Sequence, residues 1–230
     1  MQIIKQLESK VVQIFGDDKT GHNMTHLWRT LNFALKIWEH EGGDKLVIAT
    51  SSFLHDLHRI MQTKEKRFVP PVESIPLVRE LISDLPLTEQ QKQHVCYAIE
   101  HHEEYAFSEQ GVTVKDIESK ILQDADNLDM LGAMGLYRQL EYGHAHGHPI
   151  FVPDIPLTQG DFTEGDKNVS TVHSIVRKTL RLAEAMNTPT ARKMAGELNQ
   201  FQVEFVKRIQ EEYITPSFES VFGIKETEIE

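Results

Sequence analysis

Residues 51–60 read SSFLHDLHRI, and the adjacent pair His55 and Asp56 within this stretch governs the reading of the chain. Val47, Thr50, Leu54 and Leu57 recur every three or four residues, the spacing of one helical face, and Asp44 stands near the start of that helix. His55 and Asp56 therefore fall near its C-terminal end. An imidazole beside a carboxylate offers a divalent metal one nitrogen and one oxygen donor. A lone His-Asp pair also occurs by chance in many proteins, so its meaning depends on what surrounds it.

Outward from this stretch, helical spacing continues in both directions. Upstream lie an opening helix and a second one carrying Leu27, Leu31, Ala34 and Trp38, closed by Gly42-Gly43. Downstream, the charged segment from Lys64 to Pro71 predicts a loop before a helix over about 72–83. Thr88 with Gln91 three residues on is a capping-box pattern, and the helix it opens carries His94, His101 and His102. One further helix is expected from about Lys115 through ILQDADNLDMLGAMGLYRQL, with Gly132 and Gly135 read as close-packing positions rather than a break. The segment from Gly143 to Lys167, rich in glycine and proline, is expected to be a long irregular excursion. Two final helices span about 169–186 and 189–212. No run of alternating β-branched residues argues for strands, so the expected fold is an all-α helical bundle. A single domain over 1–230 is expected, with a core of about 22–140 and C-terminal helices 168–213 packed on it.

Apolar residues make up 40% of the 230-residue chain and charged residues 26%, as in ordinary folded proteins. The net charge of -11 argues against nucleic acid and anionic membrane as partners, since both bind through clustered Lys and Arg. An anionic substrate would then need local compensation, which a metal ion can give. Cys96 stands alone, so neither an intramolecular disulfide nor a multi-cysteine zinc site can form, and a buried thiol in a reducing compartment is expected. The first segment, MQIIKQLESKVVQIF, is interrupted by charge and resembles neither a signal nor a spanning helix, which predicts a cytoplasmic location.

The chain has twelve histidines, several beside carboxylates. Four stations stand out: His26 in THLWR, His55-Asp56, His101-His102 in IEHHEE, and the acidic cluster QDADNLD at 123–129. In this order they resemble the HD-domain superfamily of metal-dependent phosphohydrolases, whose pattern is a His, then His-Asp, then a distant Asp. The resemblance is carried by H-x-x-R at His26 to Arg29, by F-L-H-D around the doublet, and by A-D-x-L-D at Ala125 to Asp129. DADNLDMLGAMGLYR, YGHAHGHPI and KTLRLAEAMNTPTARKMA are similar to a bacterial subgroup of small HD hydrolases, so the likeness covers about His22 to Glu212.

The resemblance implies that His26, His55, Asp56 and Asp126 hold a divalent ion: Mn, Mg, Co, Ni, Fe or Zn. Asp124 is the rival ligand. A helical wheel groups Asp124 with Ile117, Ile121, Leu128 and Leu131, and Asp126 with Asp129 and Met130. In HD sequences that this chain resembles, the position matching Asp124 is usually apolar, so the resemblance favours Asp126, with Asp124 expected to be a buried carboxylate orienting a ligand histidine. The implied reaction is hydrolysis of a phosphate ester or anhydride by metal-activated water, on a nucleotide or related small metabolite. Asp56, His55 and His101 are the catalytic candidates, His101 being favoured over His102 as the inward-facing member of its pair. His22, Arg29, Arg59, Lys64, His102 and Arg138 are candidate substrate contacts.

Several of these have a plainer reading beside the functional one. Arg29 can serve as a structural ion-pair partner, and Lys64, Lys66 and Arg67 as a solvated loop. His58 is read as a helix-end residue, and His144, His146 and His148 as an exposed turn beside the site. Some HD nucleotidases place a Glu where this chain has Arg59. Two other functions stay open: a two-iron HD oxygenase drawing on His94, His101 and His102, and a non-catalytic nucleotide or metal sensor. A cyclic-dinucleotide phosphodiesterase is disfavoured, since no Gly-Tyr-Pro follows HHEEYAFSEQG.

Overall fold

The computed structural model describes residues 2–16, 21–103, 114–157 and 169–213, and every regular element among them is helical. The all-α expectation holds. The chain runs through α1 (Gln2–Phe15), α2 (Met24–Glu41), α3 (Lys45–Leu54) and α4 (Leu57–Glu65). A short 3-10 turn, Pro71–Ser74, leads into α5 (Ile75–Ile82), followed by α6 (Glu89–Glu100), α7 (Ile117–Asp129) and α8 (Gly132–Ala145). α9 (Thr171–Ser174), a π-helical turn (Ile175–Thr179) and α10 (Leu180–Leu182) follow one another without interruption, and α11 (Pro189–Glu212) closes the described chain.

α2 is the central strut because it carries apolar residues on two sides. Leu27 and Leu31 join α1, α3, α5 and α6 in one apolar cluster. Ala34 and Ile37 join Ile121, Ala125 and Leu128 of α7 and Ala191 and Ala195 of α11 in a second. A third cluster sets Leu136 of α8 against Val172, Ile175 and Val206. α11 thus packs on α2, α7 and α8.

The caps read from sequence are in place. Thr88 and Gln91 form the reciprocal capping box of α6, and Asp44 accepts the Leu46 and Val47 amides at the start of α3. Gly42 and Gly43, with φ of 79° and 92°, adopt the left-handed conformations that end α2 and turn the chain into α3. Cys96 is buried, as expected. Among the described residues no helix is long and apolar enough to cross a membrane.

Three local expectations are corrected. The continuous helix expected from Lys115 breaks after Asp129, and α8 begins anew at Gly132 with φ of 68°. The break is stabilised by Gln139 and Gln202, whose amides donate to the Met130 carbonyl. A Cβ on Gly132 would meet Leu198 Cδ2 at 2.8 Å, and one on Gly135 would meet the Met130 carbonyl carbon at 2.1 Å. Gly135 is a close-packing position as read, whereas Gly132 makes the turn. The irregular excursion begins later than Gly143, since α8 continues to Ala145, and residues 158–168 of that segment lie outside the described residues. Finally, α6 ends at Glu100, so His101 is its C-cap and His102 lies just past it.

Candidate metal centre and adjoining cleft

His55 and Asp56 occupy the break between α3 and α4. Within one continuous helix adjacent side chains diverge by about 100°. Here Asp56 has φ -91° and ψ 15°, the sparsely used bridge conformation, and the chain restarts as α4 at Leu57. His55 and Asp56 are both buried. His26 is placed opposite them by the first turn of α2, which Asn23 caps by accepting the Thr25 and His26 amides. Asp126 comes from α7.

Four donor atoms meet where these elements converge. His26 Nε2 lies 3.1 Å from His55 Nε2 and 2.9 Å from Asp56 Oδ2. Asp126 Oδ1 is 3.5 Å from each of the two imidazole nitrogens. The Nδ1 atoms of both rings are engaged elsewhere, His26 with Asp129 Oδ2 at 2.7 Å and His55 with the Ser52 carbonyl at 3.0 Å. Both of those partners can only accept, so each Nδ1 carries its hydrogen, and a neutral ring then presents its Nε2 lone pair to the other ring and to two carboxylates. Asp56 Oδ2 is buried and accepts no hydrogen bond of ordinary geometry from the described residues. Converging electron pairs without a donor between them are unfavourable unless a cation sits among them, so the residues fit a metal ion.

The electrostatics point the same way. Burial alone would lower the His55 pKa, but the Asp56 and Asp126 carboxylates prevail and raise it to about 9. Burial would raise both aspartates, yet the neighbouring histidines hold their carboxyls well below the usual range. The pocket thus strongly favours positive charge, whether proton or metal.

The two rival aspartates part company. Asp126 faces the centre, whereas Asp124 accepts from the Asn187 amide and side chain through Oδ1, and from the Thr188 amide and hydroxyl through Oδ2. Asp124 therefore fastens the start of α11 to α7 and orients no histidine, which corrects the supporting role expected for it. The carboxylate that does contact a candidate ligand is Asp129, to which sequence reading gave no role. It is 2% exposed, accepts from His26, receives Arg29 Nε at 2.6 Å and Nη2 at 3.0 Å, and is also bonded by buried Arg138. Burial would raise its carboxyl, but bonds from His26 and Arg29 keep it low. A signal existed: Asp129 ends the A-D-x-L-D motif on the wheel face of Asp126.

The His101–His102 choice is reversed. His101 packs its ring on half-exposed Tyr97, 4.3 Å between centroids, and bonds the Tyr97 carbonyl. The chain turns at the end of α6, which buries His102 instead, 5.2 Å from the His55 ring. Its Nδ1 donates to the Ile99 carbonyl at 2.6 Å, and its buried Nε2 has no hydrogen-bond partner among the described residues. Burial pushes its pKa down to about 4. His58 is also corrected, being fully buried rather than a plain helix-end residue, with Nε2 3.3 Å from Glu103. Ligand-type atoms of His55, Asp56 and His102 fall within 4.8 Å of one another, as do those of His58, His102 and Glu103.

A cleft of about 510 Å³ adjoins this centre. His22 links the two, lining the cleft while its ring edge meets His26 at 6.0 Å. Burial pushes its pKa down to about 3, Arg59 and Arg138 adding to the fall against the pull of Asp56. Arg59, Lys66 and Arg67 bring cationic side chains to the wall. Arg59 also bonds Glu103, and Arg67 bonds Glu65 and Glu73. Lys64 is exposed on α4 outside the lining, so Lys66 takes the place expected for it. Phe68 and a stacked Tyr142–His146 pair, centroids 3.9 Å apart, add aromatic surface, of which the sequence marked only His146, in a turn beside the site. Tyr142 and Arg138 share one face of α8, which only the break at 130–131 orients.

Comparison with known proteins fits this geometry. Residues 23–131 match the family model described as the HD domain. The chain is 28% identical over 211 residues to YpgQ of Bacillus subtilis, covering 90% of this chain and 92% of that protein. An HD-superfamily hydrolase from Bacillus thuringiensis superposes with a TM-score of 0.69 at 26% identity, covering 92% of this chain and 96% of the other. B. subtilis YpgQ in complex with ADP superposes with a TM-score of 0.67 at 25% identity and the same coverage. The matched segment contains His26, His55, Asp56 and Asp126, the residues that converge in space. Residues 23–131 thus match an HD domain, and over 92% of its length the chain is similar to an HD-superfamily hydrolase.

Proposed function

We propose that the chain is a metal-dependent phosphohydrolase acting on a phosphate ester or phosphoanhydride, with a nucleotide or related small phosphorylated metabolite as substrate. The observation that carries this reading is the convergence of His26 Nε2, His55 Nε2, Asp56 Oδ2 and Asp126 Oδ1 beside a cleft that offers both cations and aromatic rings. Similarity to an HD-superfamily hydrolase supports hydrolysis, and the complex of YpgQ with ADP supports a nucleotide as the ligand class.

The chemistry that a bound Mn, Mg, Co, Ni, Fe or Zn ion supplies in such a donor set is a water of lowered pKa and a polarised phosphoryl oxygen. His26, His55, Asp56 and Asp126 would hold such an ion, and Asp56 would also help to orient the attacking water. Arg59, Lys66 and Arg67 receive phosphate oxygens, offsetting locally the net charge of -11. His22 contacts the substrate at the junction of cleft and centre. Phe68 and the Tyr142–His146 pair hold an aromatic base by stacking. The catalytic part expected for His101 passes to His102, whose unpartnered Nε2 accepts from water or substrate at the centre. Of the three histidines that a two-iron oxygenase would draw on, His94 pairs with Asp116 and His101 packs on Tyr97, so only His102 faces the centre.

The test is a screen for phosphate and pyrophosphate release from nucleotides and small phosphoesters with Mn²⁺, Mg²⁺, Co²⁺ or Ni²⁺. Turnover with at least one ion, abolished by Asp56→Ala, is expected. No release under any condition, or activity unchanged in Asp56→Ala, would overturn the reading.

A further inference from the structure

We infer that Asp129 is a positioning residue of the metal centre: fixed by Arg29 and Arg138, its carboxylate holds the Nδ1 hydrogen of His26 and turns the Nε2 lone pair of that ring toward the ion. This rests on the metal-dependent reading above and adds a residue that touches neither ion nor substrate.

Three helices build the arrangement. Asp129 is the last residue of α7, Arg29 lies one turn beyond His26 on α2, and Arg138 comes from the second turn of α8. Arg29 grips both carboxylate oxygens through Nε and Nη2, and Arg138 bonds Oδ2. With both oxygens clamped, the carboxylate has no freedom to rotate away from His26, whose Nδ1 meets Oδ2 at 2.7 Å. The alternative partner of Nδ1, the Thr30 hydroxyl, is 3.4 Å away and itself able to donate or accept. Without Asp129, His26 would therefore be free to exchange tautomers, and the tautomer with hydrogen on Nε2 has no lone pair to offer the ion at that nitrogen.

A purely structural ion pair would be complete with the two arginines. The third partner is a ring whose other nitrogen lies in the donor cluster, which is the arrangement by which a carboxylate fixes the orientation of a ligand histidine and raises its basicity. Asp124 provides the contrast on the same helix. It is equally buried and equally well bonded, but its donors come from Asn187 and Thr188.

The experiment compares the parent protein with Asp129→Asn, Asp129→Ala and Asp124→Asn. It reads the Mn²⁺ dissociation constant by calorimetry, the visible spectrum of the Co²⁺-loaded protein, and thermal unfolding of the metal-free protein. Asp129→Asn is expected to weaken Mn²⁺ binding about 10-fold and Asp129→Ala about 100-fold, each with an altered Co²⁺ spectrum. Asp124→Asn is expected to lower the unfolding temperature and leave both metal readouts unchanged. If Asp129→Ala does not fold, the isosteric Asp129→Asn decides. Parent-like Mn²⁺ affinity and Co²⁺ spectrum in Asp129→Asn would overturn the inference while leaving the metal-dependent reading intact. A parent that binds no divalent ion would overturn both, and a parent that binds Mn²⁺ with the expected Asp129 effects but hydrolyses nothing would overturn the hydrolase alone.

Discussion

Asp124 and Asp126, two residues apart on α7, face opposite sides of it: Asp126 Oδ1 stands 3.5 Å from both His26 and His55 Nε2, while Asp124 is bound to Asn187 and Thr188 at the start of α11. One acidic motif thus serves two ends, the candidate metal centre and the docking of the last helix. The division gives a direct test of ligand assignment. At a free Mn²⁺ concentration 100 times its dissociation constant, the folded state gains about 2.7 kcal/mol. For a chain of this size that corresponds to a rise of roughly 5–10 °C in Tm. The rise is expected in the parent and in Asp124→Asn, and is expected to vanish in His55→Ala and Asp126→Ala. A full rise in Asp126→Ala, read by thermal unfolding with and without Mn²⁺, would remove Asp126 from the ligand set.

Asp124→Asn has its own expected cost. The amide keeps one acceptor oxygen and sets an NH₂ group against either the Asn187 donors or the Thr188 donors. A buried donor left without its acceptor costs about 1–3 kcal/mol, so urea unfolding is expected to show a loss of that size. A loss below about 0.5 kcal/mol would show that the connection to α11 adds little to stability.

Much of this architecture was legible in sequence because it is written in local signals. The capping box at Thr88, the Gly42-Gly43 stop and the spacing of Leu27, Leu31, Val47 and Leu54 each act over a few residues. The wheel likewise separated Asp124 from Asp126, since three-dimensional facing along one helix follows from its period. What escaped depends on contacts across helices or on the ends of helices. Gly132 gives the same local pattern whether it packs or turns, and the choice falls to Leu198, Gln139 and Gln202, distant in sequence. His101 and His102 could not be ranked by a wheel because the helix stops at Glu100 and the period no longer applies. Asp129 lay on the right face, but its contacts with Arg138 exist only because the chain bends at 130–131.

That bend makes Gly132 a sensitive position for function as well as stability. With φ of 68° and only 2.8 Å from an added Cβ to Leu198 Cδ2, Gly132→Ala faces backbone strain of about 1–2 kcal/mol together with a clash. Relief by tilting α8 would move both Arg138 and Tyr142. Lower unfolding stability with a simultaneous fall in Mn²⁺ affinity is expected, read by urea titration and calorimetry. Lower stability with unchanged metal affinity would show that α8 and the centre are uncoupled.

The aromatic wall of the cleft yields a test of substrate class that leaves the metal centre untouched. Tyr142 stacks on His146 at 3.9 Å, and Phe68, 66% exposed, contributes a second ring to the lining. An exposed ring loses little packing when removed, so Phe68→Ala is expected to keep parental stability. Base–aromatic stacking is worth about 1–3 kcal/mol per base, which converts to a rise of about 5- to 150-fold in KM for a nucleotide. Because the base lies away from the reacting phosphorus, kcat is expected to change little. A small phosphoester without an aromatic base, if it is turned over at all, is expected to show no KM change in Phe68→Ala or Tyr142→Ala. Steady-state kinetics on the two substrate types checks this, and equal KM increases for both would mean that the rings shape the cleft instead of holding a base.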